Sequence, residues 1–376
     1  MYLECTKKLL DYLGVKPDKT LSRDSHDQLY TWTANLLTIN RRKVIVVVHA
    51  ASRCQFVLYG ITAKSISKLP ELIFKGIRVL LQSEYVSPEI IEKYLEECGS
   101  SVVYTANSSR KIVAICNKAC ERLDMFGNLF ETNDMFQKKL LPWMNLEFIT
   151  NNKNNNNSYS YAHEILIELL KNTYGENIRT CHAAELTVTL HLNSPCKRTL
   201  ILPVDLNLYQ LHRVLQGAFE WQDHHLYQFV LETDREGRPS KIAAPPVPDE
   251  WNADGIVRLD STEVTIKDVL SVHSEFYYEY DFGDGWTHTI KLNRFIENCD
   301  VPYPHCIAAM GDSPMEDCGG PCGFEDTMAI LKQPNHPDYE DVCRWVRGTL
   351  WQPLDVDIIN RRIDDTHRIP FPVVWR

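Results

Sequence analysis

The sequence predicts an α+β protein of two domains, each a mainly antiparallel sheet packed with helices. Three observations lead there. At 376 residues the chain exceeds what one ordinary core fills. Short runs rich in Val, Ile, Tyr and Phe follow one another across turn-like sequence, which favours hairpins over alternating β–α units. Stretches with apolar residues three and four apart recur in both halves, which marks amphipathic helices. The domains are expected at residues 1–172 and 183–376, joined by a linker around 172–180.

In the first half, a helix over 6–13 ends at Gly14, which suits a left-handed cap. Strands are expected at 33–39, 44–49 and 55–59, the first two joined through Asn40-Arg41-Arg42. Helices follow at 69–81 and 88–97; Ser87 caps the second and Pro88 occupies its first turn. Strands at 101–105 and 112–116 then precede a helix at 117–125. The run Asn151 to Asn157 reads as a solvated loop, because Asn side chains compete with the backbone for hydrogen bonds. Ile165, Leu166, Leu169 and Leu170 place a helix over 162–171 that returns to the first domain.

The second half begins with strands at 184–192 and 198–204. A helix follows, with Leu208, Leu211, Val214, Leu215, Ala218 and Phe219 on one face. A strand at 226–232 leads to a turn at 234–237, and 243–248 reads as an extended connector. A tight hairpin is expected to pair 275–282 with 286–292 across Gly283-Asp284-Gly285. Short helices over 324–331, 337–350 and 356–363 complete the chain.

Composition narrows the function classes. Apolar content of 44% and charged content of 24% are those of a soluble globular protein. The formal net charge of −10 argues against non-specific binding to duplex DNA, which needs a basic surface. No apolar run reaches the ~18 residues that span a bilayer, so no membrane partner is expected. The first eight residues lack the basic-then-apolar order of a secretory signal. A cytoplasmic location is therefore expected, with the 12 cysteines reduced, buried or metal-bound.

Two stretches carry candidate chemistry: Asp281-Phe282-Gly283-Asp284-Gly285-Trp286-Thr287-His288 and Glu316-Asp317-Cys318-Gly319-Gly320-Pro321-Cys322-Gly323. Strand alternation puts Phe276, Tyr278, Tyr280 and Phe282 on one face, and His288 in an inward row with Trp286, Ile290 and Leu292. His288 then reads either as a core histidine bonded to a carbonyl or as a metal ligand or general base. Asp281, Asp284, His288, Glu316 and Asp317 are the candidate catalytic groups. Cys318 and Cys322 have a spacing that zinc ligands use, and Cys306 with His288 could complete a tetrahedral zinc site, Cys299 being a spare. Unliganded structural thiols are the alternative. The glycines before residue 324 could cradle an anion, although Glu316 and Asp317 already bring negative charge there. In Trp221-Gln222-Asp223-His224-His225, paired histidines next to Asp could bind a metal, but neighbours on a strand would face opposite ways, so at least one histidine reads as structural or surface. No nucleophile elbow, metalloprotease helix or dinucleotide fingerprint is present.

The second half resembles the plasmid pRiA4b Orf3-like family. The resemblance rests on Leu208-Tyr209-Gln210-Leu211-His212, Gln216, Phe219, Trp221, His225-Leu226 and Phe229. It continues through Tyr280-Asp281-Phe282-Gly283-Asp284, Trp286, His288, Cys306, Gly311 and residues 316–321, and ends with His336-Pro337, Trp345, Pro353, Asp355 and Asn360. One departure is visible: where the family usually has a Trp-Arg pair after proline, this chain has Pro195-Cys196-Lys197-Arg198. Cys5-Thr6-Lys7-Lys8-Leu9-Leu10 and residues 34–43 resemble a numbered domain family of unknown function (6933). The first resemblance implies an α+β domain of plasmids, prophages and an insertion element's passenger protein labelled a resolvase. No nucleophile ringed by arginines supports recombinase chemistry here. The expected function is a non-catalytic binding or interaction protein with a protein or nucleic-acid partner. A metal-dependent hydrolase or nuclease built on His288 with nearby acids and thiols is the alternative.

Overall fold

The computed structural model describes residues 1–18, 27–107, 110–153, 156–246, 255–349, 351–364 and 368–369, without the side chains of 150–158. The chain folds as two compact units, Met1–Thr180 and Cys181–Arg376. The class is α+β, and nine of the twelve strand pairings among the described residues are antiparallel. None of the described helices is long and apolar enough to cross a membrane.

The first unit runs β1 (Tyr2–Cys5), α1 (Lys7–Leu13), β2 (Thr31–Ile39), β3 (Arg42–His49), β4 (Gln55–Tyr59), α2 (Ala63–Ile66), α3 (Leu69–Ser83) and α4 (Pro88–Glu97). It continues with β5 (Val103–Ala106), α5 (Arg110–Met125), α6 (Leu141–Met144), β6 (Phe148–Lys153), β7 (Asn156–Tyr161) and α7 (Ala162–Tyr174). Its main sheet has the order β4-β3-β2-β1-β5, with β1 parallel to both neighbours. Asn40 and Arg41 both take positive φ, the geometry a two-residue hairpin between twisted strands requires. Val44 to Val48 are buried on both faces, which explains their unbroken apolar run.

Three expectations change in this unit. Residues 112–116 are not a strand but part of α5. Ile112, Cys116, Ala119 and Leu123 are the buried positions, and that spacing is helical despite the β-branched residues among them. The asparagine run is not a free loop, since β6 and β7 pair across it. The short β1 was missed, and it is the strand that joins β2 to β5.

The second unit runs β8 (Cys181–Leu190), β9 (Cys196–Pro203), α8 (Leu208–Ala218), β10 (Tyr227–Thr233), β11 (Pro239–Ala244), β12 (Val257–Asp260) and α9 (Ile266–Leu270). Then come β13 (Glu275–Tyr280), β14 (Trp286–Cys299), β15 (His305–Met310), α10 (Gly320–Leu331), α11 (Tyr339–Gly348) and α12 (Val356–Ile363). One sheet holds all eight strands in the order β12-β11-β10-β13-β14-β8-β9-β15. β11, β12 and β15 were not foreseen. The expected connector lies partly in β11, and its residues 247–248 fall outside the described residues, as does Leu350 at the expected end of α11.

Apolar residues of α8 (Leu208, Leu211, Val214, Leu215 and Ala218) pack on the inner face of this sheet. Within that core, His212 bonds Asp223 Oδ1 and Tyr278 Oη, both at 2.8 Å, and stacks flat on Tyr227. Arg198 is fully buried and donates to Ala218 O (2.9 Å), Gly311 O (3.0 Å) and Ser313 Oγ (2.6 Å). It therefore ties β9 to the end of α8 and to the loop that leads into residues 314–317.

Candidate metal centre

Three loops meet at one rim of the second sheet. The first follows α8 and carries Glu220 to Leu226. The second is the turn between β13 and β14, residues 281–285. The third is the glycine-rich approach to α10. Asp281 ends β13 in a left-handed conformation with φ +54°, and its Oδ1 accepts from the N–H groups of Gly283 (3.0 Å) and Asp284 (3.3 Å). This is a turn that Asp closes with its own side chain, and it frees the other carboxylate oxygen to face away from the backbone. Phe282 leaves the expected inward row because the strand has already turned, and it is exposed.

The third loop lies against the second by a close backbone approach. A Cβ on Gly320, whose φ is +70°, would sit 2.5 Å from Asp284 O, so only glycine allows the contact. Gly319 N also donates to Asp284 Oδ2 at 3.3 Å. Glu316 accepts from Tyr280 Oη and, at 3.0 Å, from Gln222 N, which joins all three loops. Asp317, with φ +58°, then projects toward the first loop.

There His225 Nε2 lies 3.1 Å from Asp317 Oδ1 and 3.6 Å from Asp281 Oδ2. Although close, neither oxygen lies where a hydrogen bond to the ring could form; Nε2 is buried and makes no hydrogen bond. Ligand atoms of all three residues fall within 4.8 Å of one another. A cation held at ~2.0–2.2 Å spaces its ligands roughly 2.8–3.6 Å apart, and both His225 distances lie in that range. Among the described residues no lysine or arginine pairs with either aspartate, so two carboxylates face one imidazole without a resident counter-charge.

The zinc set expected from the sequence does not assemble. Among the described residues, the metal-compatible group of three or more His, Cys, Asp or Glu side chains is His225, Asp281 and Asp317, with neither His288 nor any cysteine in it. His288 is fully buried, its Nδ1 3.2 Å from Tyr278 O and its ring against Phe219 and Trp221. Desolvation pulls its pKa down to about 3, so it is a neutral core residue. Cys306 Sγ bonds Ala308 O, Cys318 Sγ lies 3.9 Å from Gly320 O, and the spare Cys299 bonds Val301 O. Cys322 is exposed. Burial, with the Asp284 carboxylate adding, pushes the Cys318 thiol up to about 12. Cys299, Cys306 and Cys318 each face a main-chain carbonyl, and Cys322 faces solvent.

Of the five catalytic candidates, Asp281 and Asp317 are in the cluster, Glu316 and Asp284 brace it, and His288 is elsewhere. The sequence offers the His224-His225 pair beside Asp223 as metal ligands but does not single out His225, because strand alternation would send the two histidines to opposite faces. His225 stands in a loop before β10, where alternation does not apply.

A family model described as plasmid pRiA4b ORF-3-like protein matches residues 182–360. The uncharacterized protein y4hQ of Sinorhizobium fredii (strain NBRC 101917 / NGR234) is 31% identical over 185 residues, which cover 48% of this chain and 90% of that protein. This chain belongs to the pRiA4b ORF-3-like family. Its family region contains all three residues of the cluster. Residues 2–165 match a second model, a domain of unknown function (DUF6933). Among solved structures, a protein of unknown function, MM3350 from Methanosarcina mazei Go1, is similar, with 25% identity and a TM-score of 0.40. The match covers 47% of this chain and 96% of that one.

Proposed function

We propose that this chain is a binding protein whose second unit engages its partner through a divalent cation held by His225, Asp281 and Asp317. The observation that carries this reading is the buried His225 Nε2, without a hydrogen bond and within 3.6 Å of two carboxylate oxygens. Imidazole with two carboxylates is a nitrogen–oxygen donor set, suited to manganese, iron or zinc, and differs from the thiolate-rich set expected from the sequence. Three protein ligands leave coordination positions for a carboxylate or phosphate oxygen of a protein or nucleic acid. At a net charge of −10, a bridging cation is a more effective contact to such an anion than the protein surface itself. The plasmid named in the family description supports a mobile-element setting.

Isothermal titration of chelator-treated protein with Mn²⁺ and Zn²⁺ tests the reading. One site per chain, lost in His225→Ala, is expected; no uptake of either ion would end it. The open positions also favour a second reading, in which the ion activates a water for phosphodiester hydrolysis. Mn²⁺-dependent turnover of bis(p-nitrophenyl) phosphate that vanishes in Asp281→Asn would make the protein an enzyme.

A further inference from the structure

All twelve cysteines are free thiols. Among the described residues, only Cys181 and Cys299 are cysteines that face each other as direct partners on neighbouring strands. They form the last pair of the β8–β14 ladder. A bulge of one extra residue between Ile296 and Cys299 brings them into register. Without it, the register that sets Ile296 against Ala183 would put Asn298, not Cys299, opposite Cys181. Bulges re-aim side chains, and they concentrate at sheet edges and beside functional sites. Here the re-aimed side chain is a thiol, and so is its new partner.

The spacing suits a covalent bond. Directly opposed residues on antiparallel strands have Cα atoms ~4.5–5.5 Å apart, inside the ~4.4–6.8 Å that a disulfide bridges. Their side chains leave the sheet on the same face. The two thiols are in hydrogen-bonding contact, and Cys299 Sγ also donates to Val301 O at 3.3 Å. Cys181 is 8% exposed and Cys299 7%, so a small oxidant reaches them more readily than a bulky disulfide reagent. Burial, with Cys299 and Asp205 adding, pushes the Cys181 thiol up to about 12, which makes its oxidation slow at neutral pH.

We propose that Cys181 and Cys299 are a redox-active pair that a peroxide converts to a cross-strand disulfide, fastening the start of β8 to the end of β14. One sulfur attacks the peroxide O–O bond, giving a sulfenic acid and one water. The second sulfur then displaces the sulfenic hydroxyl as another water and forms the S–S bond. Two electrons and two protons pass from the thiols to the peroxide. Cys181 is the first residue of the second unit, directly after Thr180, whose N–H donates to Tyr85 O. The bond therefore closes a ladder at its terminus, where strands open first. Its two ends lie far apart in the chain, the case in which a cross-link restrains the unfolded state most. Neither cysteine is in the His225 cluster, so this inference stands apart from the metal reading.

The test uses the full chain carrying Cys322→Ser, which removes the exposed thiol. It is treated with millimolar hydrogen peroxide, blocked with N-ethylmaleimide and digested without reductant. Mass spectrometry is expected to find a linked Cys181–Cys299 peptide as the main cross-link, lost in dithiothreitol, and formed faster at pH 9 than at pH 7. Thermal melts should rise by about 5 °C or more on oxidation and return in dithiothreitol. Adding Cys299→Ser should remove both the link and the rise; each variant is compared with its own reduced form, so a lower starting stability does not affect the result. No Cys181–Cys299 peptide, other cysteine pairs in equal yield, or a link without a change in melting temperature would overturn the proposal.

Discussion

His288 and His225 belong to the same unit and the same family region, yet they end in opposite states. His288 stands near the start of a long strand, inside an apolar row; desolvation keeps it neutral and its Nδ1 lies against Tyr278 O. His225 stands in a loop at the sheet rim, with two carboxylates beside its Nε2 and, among the described residues, no lysine or arginine paired with them. The difference teaches where this fold keeps chemistry available. Its interior holds a bonded network, Asp223–His212–Tyr278–Gln216, beside a His288 that keeps only its Nδ1 contact. Its rim gathers acidic groups from separate loops, braces Asp281, Asp284 and Glu316 with hydrogen bonds, and leaves His225 Nε2 without one.

The sharpest way to break this contrast is to separate the loops. Gly320→Val puts a side chain into Asp284 O at a residue with positive φ. It is expected to cost about 2–3 kcal/mol of unfolding free energy, read by denaturant titration, and to remove metal uptake along with it. Intact metal binding in a folded Gly320→Val protein would show that the rim does not depend on this contact.

Tyr278→Phe tests the interior side. It leaves His212 Nδ1 and Gln216 Nε2 without their shared partner, an expected loss of about 1–3 kcal/mol. Metal affinity should stay the same, because none of the network's side chains is among the three ligands. A changed metal affinity would mean that interior and rim are coupled.

His288→Phe should be mild at neutral pH, about 1 kcal/mol, because only the 3.2 Å contact of Nδ1 with Tyr278 O is lost and Nε2 has no partner to lose. Its effect on the pH profile is distinctive. The folded pKa of about 3 lies below the ordinary 6.5, so between those values the unfolded chain binds the extra proton and stability rises with pH. The contribution is present above about 6.5 and is lost as pH falls toward 3, at no more than about 1.4 kcal/mol per pH unit. Thermal melts from pH 7 to 4 should therefore show a shallower acid loss in His288→Phe than in the parent. Parallel profiles would mean that His288 is not held neutral.

The smallest effects sharpen the other side. In chelator, His225→Ala should change stability by no more than about 0.5 kcal/mol, yet abolish the rise in melting temperature that Mn²⁺ gives the parent. Cys318→Ala with Cys322→Ala should leave metal stoichiometry unchanged. A lost site in the cysteine variant would return the thiols to the ligand set.

Much of this fold could be read from residues alone. The helix ending at Gly14, the helix starting at Ser87-Pro88 and a hairpin between β13 and β14, though with its turn over 281–285 rather than 283–285, follow from caps and turns, which are local. So does the inward direction of His288, since alternation along a paired strand is geometric. Short strands were harder. β1 is only four residues long, β15 carries no apolar–polar alternation, and the places of both depend on partners distant in the chain. Residues 112–116 misled because β-branched content favours a strand, whereas the core they face has helical spacing.

The sequence by itself determined the α+β class, the family and the list of polar groups from which a centre could be built. Which of those groups meet was decided only by tertiary structure. Left-handed turns at Asp281 and Asp317, and a glycine pressed against Asp284, bring His225 to two carboxylates and leave the thiols to their own carbonyls. Turn chemistry acts over four residues and is written locally. The meeting of three loops spans almost a hundred residues and depends on how the sheet closes around α8.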